Sequence, residues 1–203
     1  VQRYADYSDM MQMLVKQWRM DWNDWNLPFL FVQLPMYLAD GEKDDSYWAL
    51  QREQQYIASM MIQNAGMISL ADCGEYDNIH PLDKKTPGER LFQLAKNLVY
   101  DKQGTITATA AQLFSDNGKL YVTFDHLHEK LVMQTANGCP FEISGEDNLF
   151  YPAKADVIHG NMLCISNPAV KFPSAVKYAW YNFGEAALFT ESGNPVSPFF
   201  KCV

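Results

Sequence analysis

With 203 residues, 48% of them hydrophobic and 14% aromatic, the chain can bury one large core or two modest ones and does not have the composition of a disordered protein. Its formal charge of -8 comes from 24 acidic and 16 basic side chains, with no Lys or Arg cluster dense enough to follow a phosphate track, so the sequence argues against nucleic acid and anionic membrane surfaces as partners. The most apolar stretch, Leu27 to Leu38, is broken by Pro28, Gln33 and Pro35 and is far short of a bilayer span.

No signal peptide opens the chain. Val1-Gln2-Arg3-Tyr4 leads straight into a helical pattern, so the sequence reads as starting partway through a fold, as a processed or excised polypeptide would. From Tyr4 to Trp25 the large apolar residues Tyr4, Tyr7, Met11, Leu14, Val15, Trp18, Trp22 and Trp25 fall at helical spacing, which predicts a buried face. Leu27-Pro28 ends that helix, because proline pushes the preceding residue out of the helical region. Phe29 to Val32 follows as a short continuous apolar run, the pattern of a strand covered on both faces. A polar loop leads to a second helix over Tyr47 to Ile62, and Met67 to Leu70 predicts another buried strand. Thr86-Pro87-Gly88-Glu89 reads as a capping box opening a third helix, whose apolar stripe is Leu91, Leu94, Ala95, Leu98 and Val99. Helix, strand, helix, strand, helix is part of a parallel α/β layer.

After Gly104 the pattern changes. Thr105 to Phe114 and Lys119 to Phe124 are strand-like and are joined through Asp116-Asn117-Gly118, a hairpin signal. Turn residues recur at Asn137-Gly138, Ser144-Gly145, His159-Gly160-Asn161 and Ser192-Gly193-Asn194-Pro195, which predicts an antiparallel β-sandwich. The expected boundary lies near Gln103, giving an α/β unit over 1–103 and a β-sandwich over 104–203. Cys73, Cys139, Cys164 and Cys202 form no C-x-x-C pair, which argues against a zinc ribbon or a disulfide framework and leaves a single bridge open.

Ligands of an open parallel sheet bind beyond the carboxyl ends of its strands. The loop after the second strand runs from Ala71 to Pro81 and carries His80, the only histidine of the first half. Three-residue spacing allows the Asp77 carboxylate to accept a hydrogen bond from one ring nitrogen of His80, leaving the other nitrogen to take a proton from a serine hydroxyl. The plainer reading of the same pair is a turn aspartate beside a surface histidine. Cys73 stands close enough to be a second nucleophile or simply to pack. His126 and His128, next to Asp125, share a strand face and read either as metal ligands or as a strand-end turn. Glu75 and Asp72 shape a pocket or solvate a polar loop, and Gln33, at the end of its strand, touches substrate or packs. Trp18, Trp22 and Trp25 read as core rather than as sugar platforms, as does Trp180.

Beyond these patterns, Ala71-Asp72-Cys73-Gly74-Glu75, Asp77-x-Ile79-His80-Pro81-Leu82 and Lys84-Lys85-x-x-Gly88-Glu89-Arg90-Leu91 together resemble the last block of the sialate O-acetylesterase family, within the SGNH hydrolases. Trp18-Arg19-x-x-Trp22 and Leu27 to Leu34 resemble the segment before that block. Val122 to His126, Phe141 to Gly145, Pro152 to Ala155 and Ser197-Pro198-Phe199 resemble the family's C-terminal β-domain. One departure is Ala187-Leu188-Phe189, where the family tends to have Asn-Leu-Tyr.

The resemblance implies a C-terminal part of a parallel-sheet, flavodoxin-like hydrolase layer followed by a β-sandwich. It implies His80 as catalytic base, Asp77 as its orienting partner, an O-acetylated sugar as substrate, no metal or organic cofactor, and a secreted, periplasmic or lysosomal setting. The family's serine and oxyanion residues lie in earlier blocks, and no serine of this chain stands in a Gly-Asp-Ser, Gly-Gln-Ser or Gly-x-Ser-x-Gly setting. The expected partner is therefore an N-terminal segment or companion chain carrying the nucleophile. A non-catalytic carbohydrate-binding or scaffolding module derived from an esterase is the alternative.

Overall fold

The computed structural model describes residues 4–100 and 102–203; the opening Val1-Gln2-Arg3, read above as leading into the first helix, lies outside them. The chain divides into two compact units, Val1–Ile106 and Thr107–Val203.

In the first unit a short 3-10 turn (Tyr4–Asp6) leads into α1 (Tyr7–Asp21), followed by β1 (Phe29–Val32), α2 (Tyr47–Met61), β2 (Ala65–Ile68) and α3 (Lys85–Leu98). β1 and β2 pair in parallel, Phe29 opposite Ala65 through Val32 opposite Ile68. Alternation along the strands feeds two cores. Phe31 and Met67 pack with Val15 of α1 and Ala58 and Ile62 beside them, whereas Ile68 and Leu70 join Leu94 of α3, with Leu30, Val32, Leu91 and Leu98 around them. A two-stranded sheet buried on both faces explains why both strands read as continuous apolar runs.

Three expectations need correction here. The parallel layer among the described residues amounts to these two strands, and most sheet residues of the chain are antiparallel. β2 also ends two residues early: Ser69 and Leu70 leave the ladder because local bonds capture the chain, Ala71 N–H on Ser69 Oγ and Cys73 N–H on the Leu70 carbonyl. The capping box at Thr86 does not form, since α3 begins at Lys85. Its free N–H groups are taken by Asp83, whose Oδ1 accepts from both Lys85 and Thr86 at 3.0 Å. Pro87 then falls within the first turn, where its missing N–H costs nothing.

The face expected from the tryptophans is also largely open. Trp18, Trp22 and Trp25 are 46%, 76% and 60% exposed. The helix ends at Asp21, so Trp22 and Trp25 lie beyond its last full turn, and the line shown to α2 is Tyr7, Met11 and Val15 with Ser8 and Arg19. Arg19 is buried because its guanidinium spans the Leu27 and Gln63 carbonyls at 2.7–3.0 Å, closing the ends of α1 and α2 onto the start of the sheet.

The second unit is antiparallel throughout. Its strands are β3 (Thr109–Asp116), β4 (Lys119–Asp125), β5 (Leu131–Met133), β6 (Phe141–Ser144), β7 (Tyr151–Pro152), β8 (Lys154–Ile158), β9 (Met162–Ser166), β10 (Ala175–Tyr178), β11 (Leu188–Thr190) and β12 (Phe199–Cys202). They form one sheet in the order β3-β4-β9-β8, a second in the order β12-β10-β6-β7, and a ribbon β11-β5. The β3–β4 hairpin turns on Asn117 and Gly118, both at positive φ, the backbone that such a two-residue turn requires. Leu120, Val122, Leu163 and Ile165 are fully buried in one sheet, as are Ile143, Val176 and Tyr178 in the other. Tyr178 stacks on Phe141, and its hydroxyl accepts from the Ala187 and Leu188 N–H groups, holding the approach to β11. All four cysteines are free thiols.

Candidate active site

The candidate site is built from the loops that leave the carboxyl ends of β1 and β2. Gly74 lets them touch: a Cβ there would stand 2.0 Å from the Met36 carbonyl oxygen, so any side chain would drive the second loop off the first. Asp77 then links the two directly. Its N–H donates to the Leu38 carbonyl at 2.9 Å, and its Oδ1 accepts from the Asp40 N–H at 2.9 Å. Tyr76 adds a third link, its hydroxyl donating to Asp40 Oδ1 at 3.0 Å. Asp77 adopts a positive φ of 56°, which aspartate tolerates better than most residues.

His80 lies on the same loop with its side chain exposed. Its backbone N–H donates to Asn78 Oδ1 at 3.0 Å, an Asx-type turn that fixes the main chain at the histidine. Among the described residues the imidazole makes no hydrogen bond. The structure brings Asp77 and His80 onto one turn, but the Asp77 carboxylate bonds the Asp40 N–H rather than the ring.

Glu75 braces the stretch containing His80 from both sides. Oε1 accepts from the Leu82 N–H at 2.6 Å and Oε2 from the Asn78 amide at 2.7 Å. The Leu82 N–H, then the Asn78 amide, hold the Glu75 carboxyl below the ordinary carboxylate range. The brace is therefore fully present above the unfolded-state pKa of this group and is lost as pH falls through the depressed folded value. Both Glu75 oxygens thus serve the loop. Gln33 is fully buried, donating its N–H to the Ile68 carbonyl at 2.9 Å and its amide to the Arg52 carbonyl at 3.2 Å.

Behind the loop stands an ion pair. Arg90 of α3 meets both Asp72 oxygens at 2.7 and 2.6 Å and donates to the Ser69 carbonyl at 3.0 Å. Burial works against the Arg90 charge, but Asp72 outweighs it and raises the guanidinium pKa. The same surroundings act on Cys73, where burial and then the Asp72 charge push the thiol up to about 12. Because the thiolate is the nucleophile, Cys73 is a packing group here rather than a reactive one. Iodoacetamide at pH 8 should modify the exposed Cys139 and Cys202 first. Cys73 should lag an ordinary thiol by about two to three orders of magnitude, as peptide mapping over time would reveal; labelling of Cys73 at an ordinary rate would contradict this.

The other candidates are dispersed. His126 and His128 are exposed in the turn after β4, with His126 at positive φ. Among the described residues no group of three or more His, Cys, Asp or Glu side chains is placed to hold a metal ion. Trp180 is half-buried against Phe200, with ring centres 5.7 Å apart. Sequence reasoning passed over Asn78, Asp40 and Arg90 as parts of the site. Asn78, two residues before His80, carried a readable Asx-turn signal, whereas Arg90 and Asp72 are 18 residues apart and no spacing rule connects them.

No family model and no curated protein matches the chain. Among solved structures, the chain is similar to the crystal structure of a carbohydrate acetylesterase from Xanthomonas citri, with a TM-score of 0.88 and 32% sequence identity. The match covers 97% of this chain and 46% of that one, so the chain spans just under half the length of that protein.

Proposed function

We propose that this chain is the C-terminal part of a carbohydrate O-acetylesterase of the SGNH type, contributing His80 as the catalytic base and Asp77 as its orienting partner. The observation that carries the proposal is the likeness over 97% of the chain, at 32% identity, to an enzyme named as a carbohydrate acetylesterase. The position of His80 supports it, because the loops beyond the carboxyl ends of parallel strands are where such sheets bind ligands.

In the proposed reaction a serine from the rest of the enzyme attacks the acetyl carbonyl of an O-acetylated sugar while His80 takes the hydroxyl proton. The tetrahedral intermediate collapses to an acetyl-enzyme, and the sugar oxygen leaves with the proton from His80. Water, deprotonated by His80, then releases acetate and restores the serine. A sialic acid ester is the substrate that the sequence resemblance favours, in a secreted, periplasmic or lysosomal setting. Gln33 has no exposed surface and Glu75 has both oxygens engaged, so we place neither in direct contact with the sugar.

The sheet supports an added polypeptide as the source of the serine. Phe29 and Gln33 direct their N–H groups to β2, so the intervening Leu30 and Val32 present theirs to the opposite edge. There Gln55 of α2 substitutes for a neighbouring strand, with its amide on the Val32 carbonyl and its Oε1 accepting the Leu34 N–H. Among the described residues no strand pairs with that edge, and two-stranded sheets are marginal alone. A further parallel strand carrying the nucleophile loop would complete the layer.

A second reading, a non-catalytic carbohydrate-binding or scaffolding module, is favoured by one observation: the ring of His80 has no orienting partner among the described residues. A fluorophosphonate probe on the assembled protein separates the two. The esterase reading expects one labelled serine outside these 203 residues, with labelling blocked by an acetylated sugar. Sugar binding with neither labelling nor acetate release would leave only the module.

A further inference from the structure

We propose that the second unit carries a binding site for a neutral saccharide, in the cavity between the β6–β7 loop and the β9–β10 loop. The reading above contributes only the choice of sugar as ligand class; the site itself rests on its own geometry. The cavity measures about 530 Å³, within the range of small-molecule sites, and Val170 forms part of its buried wall. Tyr151 and Phe172 supply two aromatic rings, while Glu146, Asp147 and Lys171 supply the charges.

The exposure of Phe172 is the central observation. Its side chain is 82% exposed and makes no ring contact among the described residues, although the chain around it is tightly held. Ala169 N–H donates to Asn167 Oδ1, Val170 N–H to the Asn167 carbonyl, and Ser174 N–H to the Ser144 carbonyl at 2.8 Å. A Cβ on Gly145 would come within 3.1 Å of the Phe172 carbonyl oxygen, so glycine there lets the two loops approach closely. The facing loop is fixed in the same way, by Asn148 N–H on the Gly145 carbonyl and Leu149 N–H on Asp147 Oδ1. An aromatic ring exposed to water on a fixed backbone is a prepared contact surface: the loop is already ordered, and only the two side-chain torsions of Phe172 remain to be fixed on binding.

The polar groups narrow the ligand. The apolar C–H face of a pyranose matches an exposed ring. Its hydroxyls are donors for ionised carboxylates, which only accept, and acceptors for Lys171, which only donates. Glu146 and Lys171 enter no ion pair among the described residues, and Asp147 spends one oxygen on Leu149, so all three retain capacity for a ligand. Two carboxylates against one ammonium disfavour an anionic sugar, so among saccharides a neutral one fits this lining.

The test is calorimetric titration of the full chain with cellohexaose, xylohexaose and mannohexaose, with N-acetylneuraminic acid as the anionic control. At least one neutral hexaose should bind, with a Kd on the order of 10 μM to 1 mM, and the acid should not. Phe172→Ala should weaken binding roughly tenfold or more without changing the melting temperature, since the ring packs on nothing. Tyr151→Ala should weaken it as well. Trp22→Ala, at an equally exposed ring in the first unit, should have no effect. Silence from all three hexaoses up to about 10 mM, preference for the acid, or affinity indifferent to Phe172→Ala would overturn the site. In the assembled protein Phe172→Ala should leave hydrolysis of a small acetyl ester unchanged. Acetate release without hexaose binding would remove the saccharide site and spare the esterase. Hexaose binding lost in Phe172→Ala, without acetate release, would do the reverse.

Discussion

His80→Ala is expected to lower kcat for acetyl-ester hydrolysis by about 10⁴-fold in the assembled enzyme, as loss of a triad member does elsewhere. In the proposed reaction the imidazole has a double duty, taking the serine proton on attack and returning it to the departing sugar oxygen, and the size follows from losing both. The ring is exposed and makes no hydrogen bond among the described residues, so the substitution should leave folding intact, which circular dichroism would check. Asp77→Asn sharpens the test. An amide oxygen can still accept the Asp40 N–H, so an aspartate that only ties the two loops would tolerate the change. An aspartate that sets the tautomer of His80 in the completed site would not, and kcat should fall by up to about 10⁴-fold. Near-normal hydrolysis by His80→Ala would remove this histidine from the chemistry, and normal rates for Asp77→Asn would reduce Asp77 to the loop tie that its hydrogen bonds describe.

How far the sequence could be read depended on how local each signal was. β1 was visible residue for residue, because a strand buried on both faces must be apolar at every position. The hairpin at Asn117-Gly118 was visible because few residues accept its backbone. The loop carrying Asp77 and His80 follows the second strand, as the sequence predicts, but its internal bonding is not legible: the Asp77 carboxylate accepts from the Asp40 N–H, a donor that only the folded path of the β1 loop brings in. The cap of α3 shows the same limit at shorter range. Thr86 and Glu89 have the right spacing, but the Asp83 carboxylate accepts from the Lys85 and Thr86 N–H groups, so the helix has already started before Thr86 could cap it. The tryptophans misled for another reason. Helical spacing reveals a stripe but not where the helix stops or what covers it, and α1 stops before Trp22.

Arg90→Met should destabilise the first unit by about 2–3 kcal/mol, between the small value of an exposed ion pair and the 3–5 kcal/mol typical when a buried pair loses one member. Arg90 and Asp72 side chains are 13% and 24% exposed, so solvent screens the pair only in part. Removing the guanidinium strands the Asp72 carboxylate and also deprives the Ser69 carbonyl of a donor. Asp72→Asn, which keeps an acceptor but removes the charge, should cost less, and the double variant should cost less than the sum of the two because the partners are in contact. Urea unfolding followed by tryptophan fluorescence suits the measurement, since Trp18, Trp22, Trp25 and Trp48 lie in the first unit and only Trp180 in the second. A cost below about 0.5 kcal/mol would show the pair to be no more than a surface contact. The pair also joins α3 to the root of the loop that carries His80, through Ser69, Asp72 and Cys73. A loosened loop should therefore lower kcat in the assembled enzyme by more than any change in KM, because misplacing a base by about 1 Å costs on the order of 10²-fold in rate. Stability lost with kcat untouched would separate the two roles and leave Arg90 as a support of the fold alone.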